Sequence, residues 1–368
     1  MRALWSRVGL PLLAFLAAEA VLALAAALCW QDPRRPATFV RWDSVRYLSI
    51  ATHGYFVEEA DGRVVDGNVA WFPGYPVAIR ALGRWGVRAP RAGRFLSAAA
   101  GFALLLVLWN ATFPWADADK GPILLLLAAF FPGFVYCHAV FPISMTATFV
   151  LLAIVCAARG RFVVGGLFGA LAAFTYSAGV AIVAVLALAA LVVPGLGGRR
   201  RFVALLQGAG LTALGFLGAL AYQHRTVAWN SFSRMQHDYY GAGLHEPLTS
   251  IAWKTRHVWT REFQPELLIH AQTALVALVV LACVLAFWRR GGGRGEPLDV
   301  LLLASGLLFW LLPHVVSPHV SVYRSEALLV AFVPVMRRLP RDLLLLLLVV
   351  FVALGFGMGI LFFESILV

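Results

Sequence analysis

The sequence predicts an all-α protein that crosses a membrane many times. Three observations predict it. Hydrophobic residues make up 61% of the 368 and charged residues only 13%, against about 45–50% and about 25% in soluble domains. The apolar residues fall in runs near the roughly 20 that span a bilayer. Arginines cluster between those runs, where membrane topology puts them. The net charge of +12 is therefore a topological signal and gives no indication of nucleic acid.

The first run, 8–29, follows Arg2 and Arg7 like the core of a signal peptide. It is longer than such a core and lacks a clear small-residue cleavage site, so it reads as an uncleaved first span. Further runs cover about 95–113, 121–140, 143–158, 162–176, 179–194, 203–222, 268–288, 300–315, 324–336 and 342–363. Several are short, as tilted or broken helices around a cavity would be. Basic clusters lie at Arg2/Arg7, Arg159/Arg161, 199–201, Arg289/Arg290/Arg294 and Arg337/Arg338/Arg341. If all of these are cytoplasmic, about eleven spans follow in one domain, 1–368, with the N-terminus inside and the C-terminus outside. The loops at about 30–94 and 223–266 then lie outside, and the acidic Trp115-Ala116-Asp117-Ala118-Asp119 lies inside. Segment 68–85 begins with a Pro73-Gly74-x-Pro76 turn and carries Arg80 and Arg84. It predicts an interfacial helix, so 69–88 does not span.

The cysteines Cys29, Cys137, Cys156 and Cys283 are scattered and have neither metal-ligand nor disulfide-framework spacing. The histidines form no His-Glu-x-x-His pattern, so no metal is expected.

The first polar island is Arg41-Trp42-Asp43-Ser44-Val45-Arg46-Tyr47. Segment 44–52 predicts an amphipathic helix, with Val45, Leu48 and Thr52 on one stripe and a stop at Gly54. Asp43 starts it, either as an N-cap or as a general base at the membrane surface. Arg41 and Arg46 favour its ionised form. The next island, Ala70-Trp71-Phe72-Pro73-Gly74-Tyr75-Pro76, is an aromatic anchor or a wall beneath a lipid or sugar.

In the 223–266 loop, His224, Arg225, Arg234, His237, His245, Lys254, Arg256, His257 and Arg261 alternate with Tyr239, Tyr240 and the acids Asp238, Glu246 and Glu262. Cations with aromatics between them suit a lipid-linked phosphate; a solvated loop is the other reading. His319 and Tyr323-Arg324, with His314 and Glu326 nearby, open a late apolar run. Arg324 there neutralises a leaving phosphate, or it pairs with Glu326 or reaches headgroups. Glu19 lies in mid-span, where a carboxylate is costly.

Arg41-Trp42-Asp43, followed by Tyr47-Leu48, Ile50-Ala51 and His53-Gly54-Tyr55, resembles the first-loop signature of the PIG-V-like glycosyltransferases. That family contains the second mannosyltransferase of GPI-anchor synthesis and many bacterial relatives. Trp71-Phe72-Pro73-Gly74-Tyr75-Pro76 is similar to the family's aromatic-Phe-Pro-x-Tyr-Pro element. More loosely, Phe131-Pro132-Gly133-Phe134 with Val140-Phe141-Pro142-Ile143-Ser144, and Val322-Tyr323-Arg324 with Phe332-Val333-Pro334, fall where later family elements do.

The resemblance implies a GT-C bundle with interfacial helices in its first outer loop. It implies a polyprenyl-phosphate-linked hexose donor, typically mannose, a hydroxyl acceptor and no other cofactor. The transfer would be inverting, on the periplasmic or exterior face of a bacterial inner membrane, with Asp43 as base. Arg41, Trp42, Arg46, Tyr47, Trp71, Phe72, Tyr75, His224, Arg225, Lys254, Arg256, His319, Tyr323 and Arg324 are the candidate substrate contacts. Two departures stand out. Ile143 replaces the family's common Glu, and Tyr176 replaces its common Arg. They keep open a catalytically weak or inactive membrane scaffold. A lipid or solute transporter is a third reading, which would need polar residues along a midplane path.

Overall fold

The computed structural model describes residues 2–113, 119–260, 267–289, 296–316 and 321–367. Among them, six helices are long and apolar enough to cross a membrane: Arg7–Leu28, Ala89–Thr112, Gly198–Gln223, Leu267–Arg289, Pro297–Val316 and Arg341–Phe363. The protein is thus an all-α molecule of the membrane class. The other five apolar runs fold into shorter pieces, and their lengths do not establish the expected count of about eleven spans.

The breaks have local causes. The helix Gly121–Ala129 stops ahead of Pro132, and Val135–His138 is a single turn beyond it. Pro142 caps Ile143–Ala158. Phe162–Thr175 ends where Tyr176 becomes extended. The run near 324–336 is a 3₁₀ helix, Glu326–Arg338, with Pro334 inside it. Gly133 sits at the first break with φ 82°. A methyl there would lie 2.7 Å from the Tyr323 carbonyl oxygen and 3.0 Å from Ala327. This close approach lets the 131–134 turn press on the Tyr323–Ala327 segment.

Hydrogen bonds define two ends of the bundle. At one end, Arg80 donates to the Ala51 and Ile50 carbonyls at 2.9 and 2.6 Å and to Tyr222 at 3.2 Å. Gln223 reaches the Val69 carbonyl at 2.8 Å, and the Gly243 N–H donates to the Val316 carbonyl at 3.0 Å. At the other end, Asn110 donates to the Arg7 carbonyl. Lys120 donates to the carbonyls of Arg337 and Leu339 at 3.1 and 3.0 Å. Asp299, buried, accepts from Arg337 at 2.8 Å and Arg338 at 2.6 Å. The basic clusters that the structure describes gather at this second end. Of the acidic 115–119 stretch, only Asp119 lies within the described residues.

The segment after Pro73 forms a helix, Gly74–Gly83, of ten residues. At 1.5 Å per residue it is ~15 Å long, half of the ~30 Å hydrocarbon thickness, so it is too short to cross. The sequence reading missed a hairpin between Val57–Ala60 (β1) and Arg63–Gly67 (β2). Its turn is Asp61-Gly62, with φ of 51° and 73°, the two-residue turn that an Asp-Gly pair favours. Arg234 grips Glu59 on β1 at 2.7 and 3.1 Å, and Asp238 accepts the Val64 N–H of β2 at 3.1 Å.

Glu19 is paired inside the bundle. His138 Nδ1 lies 2.8 Å from its Oε1, and Arg94 forms an ion pair with its Oε2. The Arg94 guanidinium also stacks 4.2 Å over the Phe39 ring.

Candidate functional site

Asp43 is the first residue of the helix Asp43–Thr52, and Trp42 occupies the cap position with no side chain capping the turn. Asp43 therefore does not serve as the N-cap. Its Oδ2 forms an ion pair with Nη1 of Arg324, 281 positions later in the chain. The second amino group of Arg324 donates to Ser321 Oγ at 2.7 Å. The two paired side chains keep 31% and 20% of their exposure, so solvent reaches the pair.

Trp42 holds φ 43°, a conformation costing a non-glycine residue about 1–3 kcal/mol. Its ring packs edge-on against Phe362 at 5.4 Å. The strained turn, clamped by this contact, sets the start of the helix. Arg80 holds the other end through the Ile50 and Ala51 carbonyls.

Aromatic rings surround the pair. Burial disfavours charge on Arg324, but Asp43, Tyr323, Tyr136 and Tyr176 outweigh it and hold the guanidinium above its ordinary value. Burial, then Tyr176 and Asp43, push the Tyr47 phenol up. Burial and Asp43 do the same to Tyr240. These phenols remain neutral hydroxyls beside a carboxylate. Tyr136 packs against Tyr323 at 6.0 Å, and Trp71 faces Tyr240 at 6.4 Å.

The remaining predicted contacts divide. Arg46 pairs with Asp66 of β2 at 2.7 Å and lies 5.6 Å over Trp71, close to the site. Arg41 donates to its own neighbour, the Val40 carbonyl, at 3.0 Å. Phe72 is fully buried against Phe216 and Phe232. Tyr75 is fully buried, donating to the Gly93 carbonyl at 2.7 Å, with Ser97 also at 2.7 Å. These two residues hold the core and present no surface to a substrate. His224 meets Trp229 edge to face, and the Arg225 guanidinium lies 5.4 Å over the Tyr222 ring.

Lys254 is buried in a separate cluster near Glu326 and His314, where burial lowers its amine to about 8. In that cluster Gln272 donates to the Tyr323 carbonyl at 3.0 Å and to Glu326 at 2.7 Å, so Glu326 does not take Arg324. His319 and the Arg256 side chain lie outside the described residues.

Sequence reasoning missed Tyr136 and Ser321 as neighbours of Arg324. Tyr176, singled out as a replacement, stands beside the pair. Ile143, the other replacement, is buried in the first turn of its helix. Among the described residues no group of three or more His, Cys, Asp or Glu is arranged to hold a metal ion.

No model of a known protein family matches the chain, and no curated protein matches it significantly. The geometry therefore carries the chemical argument alone. A carboxylate and a guanidinium side by side can accept a proton and receive an anion. Of the surrounding aromatic side chains Tyr47 and Tyr136 are fully buried, while Trp42, Tyr176 and Tyr240 keep part of their surface to offer a polyol.

Proposed function

We propose that the protein is a membrane glycosyltransferase moving a hexose from a polyprenyl-phosphate donor to a hydroxyl acceptor, at the end of the bundle that carries Asp43. The observation that supports this is the Asp43–Arg324 pair among aromatic rings. In the resting pair each partner satisfies the other. A bound donor phosphate competes for Arg324 and frees the carboxylate. Asp43 then takes the acceptor's proton as its oxygen forms a bond to the anomeric carbon. The bond from that carbon to the phosphate oxygen breaks, its electron pair stays on phosphate, and Arg324 balances the charge. One displacement inverts the anomeric centre. The basic clusters at the opposite end support a cytoplasmic side there and an exterior side for the site.

The second reading is a scaffold in which the ion pair is only a lock between the first loop and the Tyr323–Arg324 segment. Arg324, already satisfied by Asp43 and Ser321, favours it. Transfer from a polyprenyl-phosphate hexose in nanodiscs separates the two. Turnover lost in Asp43→Asn supports the enzyme. No turnover by the wild type with any hexose donor supports the scaffold.

A further inference from the structure

We propose that the helix Pro247–Thr260 lies in the bilayer interface at the Asp43 end, seated on a lipid surface through Leu248 and Trp253. This inference does not depend on the transferase reading.

The depth of the helix is fixed by the chain before it. The Gly243 and His245 N–H groups donate to the carbonyls of Val316 and Val315, at 3.0 and 2.8 Å. Those carbonyls are the last two residues of the span Pro297–Val316. Leu244, between the two bonds, is 92% exposed. The segment is thus tied to the level at which a span leaves the hydrocarbon. Glu246 then starts the helix by accepting the Leu248 and Thr249 N–H groups at 3.2 and 2.9 Å.

The helix has two faces. Ser250 and Lys254, four residues apart, are buried, and Ser250 Oγ lies 3.1 Å from His314 Nδ1. Leu248 and Ala252 lie opposite them and Trp253 on the flank, all three exposed, Leu248 at 71% and Trp253 at 56%. A leucine and a tryptophan turned outward at the level of a span's end match what an interfacial helix buries between headgroups and acyl chains.

The same level is marked on other elements. Trp30, just past the span ending at Leu28, is 97% exposed, and Trp85, just before the span starting at Ala89, is 82% exposed. Tryptophan concentrates at membrane–water boundaries. A bilayer over this face accounts as well for the exposed tryptophans at two other span ends. A soluble partner would account for the helix but not for Trp30 and Trp85.

The test is depth by nitroxide labelling. Leu248→Cys and Trp253→Cys are made singly in the full chain and reconstituted in phosphatidylcholine vesicles with no other protein. Asp61→Cys, at the exposed hairpin turn, is the aqueous reference. The native thiols are buried or half-buried, and unmutated protein taken through labelling gives the background. Oxygen collisions exceeding those of a water-soluble nickel chelate at 248 and 253, with the reverse at 61, are expected. Nickel accessibility at 248 and 253 equal to that at 61 overturns the proposal and leaves the face to a soluble partner. Both outcomes are read without any enzymatic activity.

Discussion

Asp43 and Arg324 form an ion pair across 281 positions of sequence, and both belong to segments whose backbones are held from behind. Arg80 holds the Asp43 helix through its C-terminal carbonyls. Gln272 holds the Tyr323 carbonyl. The pair is therefore a meeting of two braced elements. Its guanidinium has a second tie to Ser321. Arg324→Lys should lose that geometry, because an ammonium cannot present two fixed, parallel donors. We expect stability in detergent to fall by about 1.5–3 kcal/mol, the range for a hydrogen bond to a charged group. An unchanged melting temperature would mean that the second tie contributes nothing.

Glu19, Arg94 and His138 form a separate charged group inside the bundle. One of the Arg94 amino groups, Nη1, is already buried without a partner. Glu19→Gln would leave that guanidinium uncompensated, at a cost of about 3–5 kcal/mol. The double substitution Glu19→Leu with Arg94→Leu removes both charges and should recover much of the loss. Unfolding in a detergent series measures both. A single variant as stable as wild type would show that the group is not needed for the fold.

The helix Phe162–Thr175 meets the span Gly198–Gln223 through glycine. A methyl on Gly166 would overlap the Gln207 carbonyl oxygen. Gly166→Ala must push the helices apart, and overpacking of this kind costs about 1–3 kcal/mol. Gly210, on that same span, meets nothing within 4 Å, so Gly210→Ala should be neutral or stabilising by about 0.5–1 kcal/mol. The two melting temperatures should move in opposite directions or differ by several degrees.

Much of this architecture was legible because membrane spans announce themselves by length and composition. The six long helices coincide with apolar runs. The Asp43 helix follows its amphipathic stripe to within a residue, and Gly54 stops it with φ 94°. The other five apolar runs form shorter pieces because a proline, a glycine or an extended residue ends a helix partway, which hydropathy does not register. The hairpin was missed although Asp61-Gly62 is a strong turn signal, because its strands are only four and five residues long.

The site was only half legible. Asp43 and Arg324 were both singled out, but for different jobs, and no local pattern pairs residues 281 apart. Phe72 and Tyr75 looked like a binding wall because aromatic-proline turns serve both walls and cores. Their core role depends on Phe216, Phe232 and Gly93, which are distant in sequence.

Lys254 gives a pH-dependent prediction. Its amine falls from the ordinary 10.5 to about 8, chiefly by burial. Between these values the unfolded chain binds more protons at this residue than the folded one does. This group's contribution to stability therefore rises as pH goes from about 8 to about 10.5. Lys254→Met should flatten that rise relative to wild type in melting curves taken across the range. Parallel curves would show that Lys254 keeps its ordinary value in the folded protein.

The enzyme and scaffold readings part most clearly when the pair is reversed. Asp43→Asn keeps the size of the side chain but cannot accept a proton usefully, so transfer should fall by about 10²–10⁴-fold, with donor binding as tight as wild type or tighter, since the competing carboxylate is gone. Arg324→Ala should weaken donor binding and turnover together, since the phosphate is charged before and after it leaves. Either single change leaves the other charge half-buried and unpaired, so a stability loss is expected under both readings and decides nothing. The double variant Asp43→Arg with Arg324→Asp restores a salt bridge of opposite sense. A scaffold needs only the lock, so the swap should recover most of the stability and all of the function. An enzyme needs the carboxylate on the Asp43 helix and the cation beside Ser321. Its swap should therefore recover melting temperature and still show no transfer. Measuring melting and hexose transfer on the same four proteins gives the answer, and transfer by the swapped pair at the wild-type rate would remove Asp43 as the base.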